Sequence, residues 1–352
     1  MTLETNLIKN ILEEKEINNL SPYAAKSKYS KGRKIEEKPC SIRTEFQRDR
    51  DRILHSKAFR RLKHKTQVFF APNDDHYRTR LTHTLEVAQV SRTIAKALNL
   101  NEDLVEAIAL GHDVGHTPFG HSGESVLDTI MTNGFSHNEN SVRVVSVIED
   151  LNLTDETLNG ILCHSYAWEP AYTLEGQIVQ IADKIAYINH DIDDALRAGI
   201  IKIENMPKDC MQYFSPSRSE RFSKMVYNLV ENSLDKDKIS MDEECLGYMN
   251  KLRGWMFENV YLNSVAKAEE DKAKRVIQEL FEHYMCLLQI YAANYDEQKA
   301  QQTVCDYISG MTDRYIVQKY SQIFIPKALA RIDDDDFLFR FAKLNGLTNV
   351  NE

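Results

Sequence analysis

Residues 80–98, "RLTHTLEVAQVSRTIAKAL", place His83, Val87, Val90 and Ile94 at intervals of four, three and four. Those intervals follow the 3.6-residue helical period, so the histidine shares an apolar, inward-facing stripe. The next segment repeats the arrangement. Asn101 reads as an N-cap with Glu102 and Asp103 in the first turn, and Val105, Ile108, Ala109 and His112 then share one face, with Asp113 following directly. A single buried histidine is more often a satisfied core residue than a ligand. Two on successive helices, one beside an aspartate, point to chemistry.

Outward from this pair the helical period persists. It predicts a basic helix over 45–69, a loop at 69–79, and helices at 137–150, 154–165 and 175–198, the last ending at Gly199. Further helices are expected over 246–293 and 297–309, with a solvated turn at 331–336. Thirteen glycines and eight prolines in 352 residues leave few turn signals, and no strand series or internal repeat is visible. The class is all-α. The expected organisation is a polar N-terminal segment at 1–40, loosely ordered up to Ile42, then a catalytic core at 41–200. A variable insertion at 201–245 and a C-terminal helical region at 246–352, packed on the core, complete it.

The net charge of −9 argues against general binding of polyanions. Residues 41–65 are the exception, with nine Lys or Arg against three Asp or Glu. That local surplus of six leaves −15 on the rest of the chain. The segment suits either an anionic ligand, single-stranded DNA among them, or a helix face laced with ion pairs. The six cysteines form no C-x-x-C pair, which argues against a structural zinc site or a disulfide framework. With no membrane-length apolar run and no signal-peptide pattern at the N-terminus, a cytoplasmic protein is expected.

Asp183, Tyr187 and Asp191 recur every four residues on the 175–198 helix, among five isoleucines that leave little of it for solvent. Two neutral imidazoles (His83, His112) and two carboxylates (Asp113, Asp183) form a nitrogen and oxygen donor set suited to a divalent metal ion. Their order resembles the H…HD…D signature of the HD-domain metal phosphohydrolases. The surrounding words sharpen the likeness: "RTEFQRDRDRILHSKAFRRLKHKTQVF", "RTRLTHTLEVAQVSRTIA", "ALGHDVGHTPFGHSGE", "ADKIAYINHDIDD" and "SGMTDRY" resemble the dGTPase family of deoxynucleoside triphosphate triphosphohydrolases. The resemblance runs in order from about Arg43 to Tyr320 and is weakest over 200–245.

The resemblance implies an HD-domain helical core and hydrolysis of a dNTP to the deoxynucleoside and intact triphosphate. Water would attack the α-phosphorus while the bond to the 5′-oxygen breaks. His83, His112, Asp113 and Asp183 match the metal ligands, for Mn²⁺, Mg²⁺ or another ion such as Fe²⁺, Co²⁺ or Ni²⁺. His121 and Glu124 match the catalytic pair, in which the carboxylate orients the imidazole. Arg80, His116, His137 and Lys184 match residues that meet the phosphates, and Arg314 is a weaker candidate. Gln67, Tyr187 and Asp191 match residues that hold the deoxyribose, with the tyrosine ring where a 2′-hydroxyl would sit. A dNTP activator, binding of single-stranded DNA and a homo-oligomer such as a hexamer occur within the family. The alternatives are an HD-domain nucleoside monophosphatase or phosphodiesterase, which would release a different product, or a single-stranded nucleic-acid-binding protein with a degenerate site.

Overall fold

A computed structural model describes residues 7–67, 78–165, 168–261, 264–326 and 336–346. Every regular element among the described residues is helical, and the extended contacts are two isolated bridges, Arg33 with Thr154 and Thr66 with Thr79. The all-α expectation holds. Most of the loop expected at 69–79 and of the turn expected at 331–336 lies outside the described residues. No helix among the described residues is long and apolar enough to cross a membrane.

At the centre lies Glu102–Gly111, in which Leu104, Val105, Ala107, Ile108, Ala109 and Leu110 are all buried. A helix with so broad an apolar surface must be enclosed over most of its circumference. Helices Glu45–His55, Arg80–Ala97, Asp155–Leu162 and Leu174–Arg197 enclose this one. Asn101 caps it as predicted, its side chain accepting from the N–H groups of Asp103 and Leu104. Val87, Val90 and Ile94 of Arg80–Ala97 are buried against this core, each such side chain contributing about 2 kcal/mol. His83, on the same stripe, is buried with them.

Two stretches differ from expectation, and the segment least readable in sequence carries helices. The N-terminal segment is not loose: Leu7–Asn19 is helical, Ala24 joins the core, and the Arg33 guanidinium pairs with Glu45 at 2.8 Å and Asp49 at 2.5 Å. Its order comes from partners elsewhere in the chain, which local composition does not record. Over 45–69 the expected helix breaks at Ser56, whose hydroxyl accepts from Phe59 N–H and so caps a second helix, Lys57–Arg61. Residues 201–245 hold two further helices, Lys208–Phe214 and Arg218–Ser233, and supply Cys210, Phe214, Met225 and Leu229 to the main core.

Four arginines of the basic segment 41–65 are engaged internally. Arg43 pairs with Asp51, Arg48 with Glu37 and Glu45, Arg50 with Asp51 and Asp103, and Arg52 with Glu37. Arg52 also donates to the carbonyls of Leu151 and Asn152. These four arginines brace the fold, while Lys57, Arg60 and Lys63 of the same segment are exposed.

A second core is built from the C-terminal helices. Ile277, Leu280, Tyr284 and Leu288 of Ser264–Tyr291 pack with Val304 and Ile308 of Glu297–Ser309, and with Phe119 and Leu127. Leu127 belongs to the helix His121–Ile130, whose first turn carries His121 and Glu124. The histidine-rich stretch 110–124 therefore runs from the exit of the central helix to the edge of the second core.

Candidate active site

The central helix delivers His112 and Asp113 at its exit. His112 Nδ1 lies 2.6 Å from the carbonyl oxygen of Ala109, three residues back, so Nδ1–H donates there and the Nε2 lone pair points outward. Nε2 is buried and has no hydrogen-bond partner among the described residues. Around it stand His83 and Asp113, with donor atoms within 4.8 Å of one another. Asp183 Oδ1 completes the group, 2.9 Å from His83 Nε2 and 3.8 Å from His112 Nε2, and Asp113 Oδ2 lies 4.0 Å from His112 Nε2. Two atoms that each bind one ion at about 2.1 Å can be no farther apart than about 4.2 Å. The three separations of 2.9, 3.8 and 4.0 Å satisfy that bound, and a buried lone pair with nothing to accept fits a cation better than a sealed core.

The electrostatics agree. Burial opposes ionisation of Asp183, yet the His83 hydrogen bond and the neighbouring imidazoles hold its carboxyl well below the usual range. For Asp113, burial is again outweighed, here by the Arg80 guanidinium, which donates to Oδ2 at 2.7 Å, and by nearby histidines. Arg80 is itself buried. Its Nη2 passes 3.0 Å from where a Cβ on Gly120 would stand, and Gly120 adopts φ +60°, a conformation that L side chains rarely adopt.

A second group lies beside the first. Glu124 divides its oxygens: Oε2 is 3.3 Å from His121 Nδ1, while Oε1 accepts from the His137 backbone N–H at 2.9 Å and faces His137 Nδ1 at 2.7 Å. Burial resists its ionisation, but the bonds from His121 and His137 and the nearby His116 hold Glu124 far below the ordinary carboxylate range. The His116 ring stacks on His137 with centroids 4.4 Å apart, and burial, Arg80 and His137 keep His116 neutral well below the usual imidazole range. His121 is exposed, so the pair it forms with Glu124 opens to solvent.

Residues 80–188 match the HD domain, and residues 239–322 match the phosphohydrolase-associated domain. The chain is 54% identical over 334 residues to a deoxyguanosinetriphosphate triphosphohydrolase-like protein of Caldanaerobacter subterraneus subsp. tengcongensis, an alignment covering 91% of this chain and 96% of that one. The chain belongs to the deoxyguanosinetriphosphate triphosphohydrolase-like family. Proteins so named from Desulfatibacillum aliphaticivorans and Clostridium tetani are 46% and 45% identical, each over 345 residues, covering 91% and 93% of this chain and 98% and 99% of theirs. A solved structure of a hypothetical protein from Aquifex aeolicus aligns at a TM-score of 0.47 with 18% identity, covering 84% of this chain and 71% of that one. The family and the HD domain together make the protein a phosphohydrolase of a metal-dependent fold.

In this triphosphohydrolase-like chain the remaining sequence candidates fall into place unevenly. Gln67 is half-buried beside Gly120, and its Oε1 is buried with no hydrogen-bond partner among the described residues. Tyr187, half-buried, and Asp191, buried, continue the Asp183 face of Leu174–Arg197. Lys184 turns about 100° from Asp183 around the helix. Its Nζ donates to Asn250 Oδ1 at 2.7 Å, and burial, with Arg253 nearby, brings its pKa down to about 8. It is not part of the histidine cluster. Both ring nitrogens of His137 are taken, by Glu124 and by His164, where the resemblance implied a ring turned to phosphate. Arg314 is exposed on the helix Asp313–Phe324.

Three contributors escaped the sequence reading. His164 is buried, with Nδ1 2.7 Å from Ile161 O, Nε2 3.1 Å from His137 Nε2 and its ring 5.0 Å from that of His112. The signal was present: "GILCHS", like "IALGHD", is an apolar helix end that exits on a histidine, and both rings bond the carbonyl three residues back. Lys65 is fully buried and donates to the carbonyls of His116 and Ser309, and burial, then Arg61, brings its pKa down to about 7. Asp313 accepts from the N–H of Thr66 at 2.8 Å and of Phe119 at 3.0 Å, binding two site segments to the C-terminal helices.

Proposed function

We propose that this protein is a metal-dependent dNTP triphosphohydrolase, cleaving dGTP, other dNTPs or both to the deoxynucleoside and inorganic triphosphate. One observation carries the reading. Two buried histidines and the buried Asp113, joined by the partly exposed Asp183, lie next to an exposed histidine oriented by a carboxylate, with the buried Arg80 bonded to Asp113. Hydrolysis at a phosphorus needs those three parts: an activated water, a proton carrier and neutralisation of phosphate charge.

In this reading His83, His112, Asp113 and Asp183 hold the ion, whether Mn²⁺, Mg²⁺, Fe²⁺, Co²⁺ or Ni²⁺. The ion supplies Lewis acidity toward water and phosphate. Arg80 and His116 face the α-phosphate side of the substrate. His121 donates Nδ1–H to Glu124, which leaves Nε2 as the atom that takes a proton from water or gives one to the departing 5′-oxygen. Gln67, Tyr187 and Asp191 receive the deoxyribose, and Lys184 reaches the distal phosphates by turning from Asn250.

Purified protein incubated with each dNTP and NTP, with Mn²⁺ or Mg²⁺, should release deoxynucleoside and triphosphate from dNTPs and little from NTPs. Orthophosphate released from nucleoside monophosphates, with dNTPs left intact, would replace this reading by the monophosphatase one.

A further inference from the structure

We propose that Lys65 is a positioning residue that clasps the segment 65–67 to the turn at 116–120, holding Gln67 in register with Arg80, and that this register sets the choice of deoxyribose over ribose. The choice of sugar rests on the triphosphohydrolase reading, and the clasp itself rests on contacts.

Lys65 is buried, and its Nζ donates to two carbonyl oxygens, that of His116 and, at 2.7 Å, that of Ser309. Among the described residues it forms no ion pair with a carboxylate. A buried amine is less favourable than an apolar side chain of the same volume unless its donors are used. The two carbonyls therefore account for a lysine at this position. The amine has a donor for each of them whether charged or neutral, so the clasp does not depend on its protonation.

The same segment is held on its other sides. Lys65 O accepts from the Arg80 N–H at 3.0 Å, and Thr66 bridges to Thr79. Asp313 Oδ2 accepts from the Thr66 N–H at 2.8 Å and from the Thr66 hydroxyl, while Oδ1 accepts from the Phe119 N–H at 3.0 Å. The turn so held is strained, because Phe119 adopts φ +62°, in the left-handed region, directly before Gly120 at +60°. A bulky residue keeps such a conformation only where its surroundings over-determine it. Here the Phe119 ring is buried in the second core, its N–H is bound by Asp313, and Lys65 holds the carbonyl of His116 three residues earlier.

Gln67 ends the clasped segment. Its backbone oxygen lies 3.6 Å, and Arg80 Nη2 3.0 Å, from where a Cβ on Gly120 would stand, so the sugar-side and phosphate-side residues close on one glycine. Gln67 Oε1 is buried with no hydrogen-bond partner among the described residues, which suits it to accept from a 3′-hydroxyl. Tyr187 and Asp191 face the sugar from the helix Leu174–Arg197. A retreat of Gln67 therefore opens the slot from which a 2′-hydroxyl is excluded.

Lys65→Met keeps the length of the side chain and removes both donors. The expected result is a fall of about 10-fold or more in the ratio of kcat/KM for dNTPs to that for NTPs, with KM for dNTPs raised. Bound metal should be unchanged, since no side-chain atom of the metal set is bonded to Lys65. A lysine with a merely structural role would lower kcat for both sugars through the folded fraction and leave KM and the ratio where they were. Gln67→Ala should shift the ratio in the same direction, and adding Lys65→Met to it should shift the ratio no further. Should Lys65→Met fail to fold, Asp313→Asn opens the clasp from the other side while keeping one acceptor oxygen, and it should show the same change at smaller size. Independently of turnover, amide hydrogen exchange at Thr66 and Phe119 should quicken in either variant. A folded Lys65→Met or Asp313→Asn with the wild-type ratio, a Gln67→Ala with the wild-type ratio, or additive effects in the double variant would overturn the proposal. Should the wild type release no triphosphate from any dNTP, the functional reading fails, and hydrogen exchange alone decides the clasp.

Discussion

Gly115→Ala tests whether the two histidine groups depend on one close backbone approach. A Cβ at Gly115 would stand 2.1 Å from Ser141 N and 2.4 Å from Asn140 C, both backbone atoms of the helix His137–Arg143. To reach even 3.0 Å the loop would have to recede by about an ångström, and no flexible side chain is there to yield. Three hydrogen bonds resist that movement. Gly115 N–H donates to Ser141 Oγ at 2.9 Å, Asn140 Nδ2 donates to Gly115 O at 2.6 Å, and Ser141 Oγ–H donates to His112 O at 2.8 Å. Overpacking of this kind costs about 2 kcal/mol. The larger effect falls on geometry, because His112 and His116 lie on one side of the seam and His137 on the other. A misplacement of about 1 Å can lower a rate about 100-fold. Gly247→Ala is the control, since a Cβ there meets nothing within 4 Å and the residue sits inside the helix Glu243–Met256. Steady-state hydrolysis and thermal unfolding of the two variants should separate them clearly. A Gly115→Ala protein with wild-type kcat and melting temperature would refute the claim that the seam holds the groups in register.

Three further outcomes are expected. Asp113→Ala should lose both bound metal and dNTP hydrolysis, and it should lose about 3 kcal/mol of stability because Arg80 is left as a buried, unpaired cation; full metal content by elemental analysis would contradict it. His121→Ala should abolish turnover with metal content and unfolding midpoint unchanged, since this side chain is 76% exposed; a fully active variant would remove His121 from the proton-transfer role. Glu175 is wholly buried, with Oε1 accepting from Ala25 and Asn101 and Oε2 unpartnered among the described residues, and burial raises its carboxyl from 4.5 to about 7. A folded-state pKa above the unfolded one confers stability that is present below pH 4.5 and is lost as pH rises through 7, a loss of about 3 kcal/mol. Glu175→Gln should therefore be more stable than wild type at pH 8 and similar to it near pH 4.5 in denaturant titrations, and parallel pH curves for the two proteins would contradict the assignment.

What the sequence disclosed was whatever has a local period. The stripe Val87, Val90, Ile94, the Asn101 cap and the exit of the central helix at His112 and Asp113 are all written in neighbouring residues. The pairing of His121 with Glu124 spans three residues, and it too was legible. Long-range partners were not. Arg33 meets Asn152 across 119 residues, and His137 meets His164 from a separate segment, so neither the ordered N-terminus nor that histidine contact is written in neighbouring residues. Charge left two readings open for the same reason. Glu37 and Asp103, which lie outside the window, are brought against Arg48, Arg50 and Arg52 only by the fold.

The bonds made by Asp313 bear on when the site comes into being. Thr66 and Phe119 emerge early in synthesis, yet the carboxylate that binds both lies nearly 250 residues beyond the first of them. A nascent chain that has completed its main core still lacks this tie, and the carbonyl of Ser309 that receives Lys65 is also still to come. The loop carrying His116 and Gly120 therefore gains its last fastening only when the end of the helix Glu297–Ser309 and the start of the next have been made and docked. The C-terminal helices thus act as a completion step, and an unfinished or clipped chain can hold the right histidines without holding them in place.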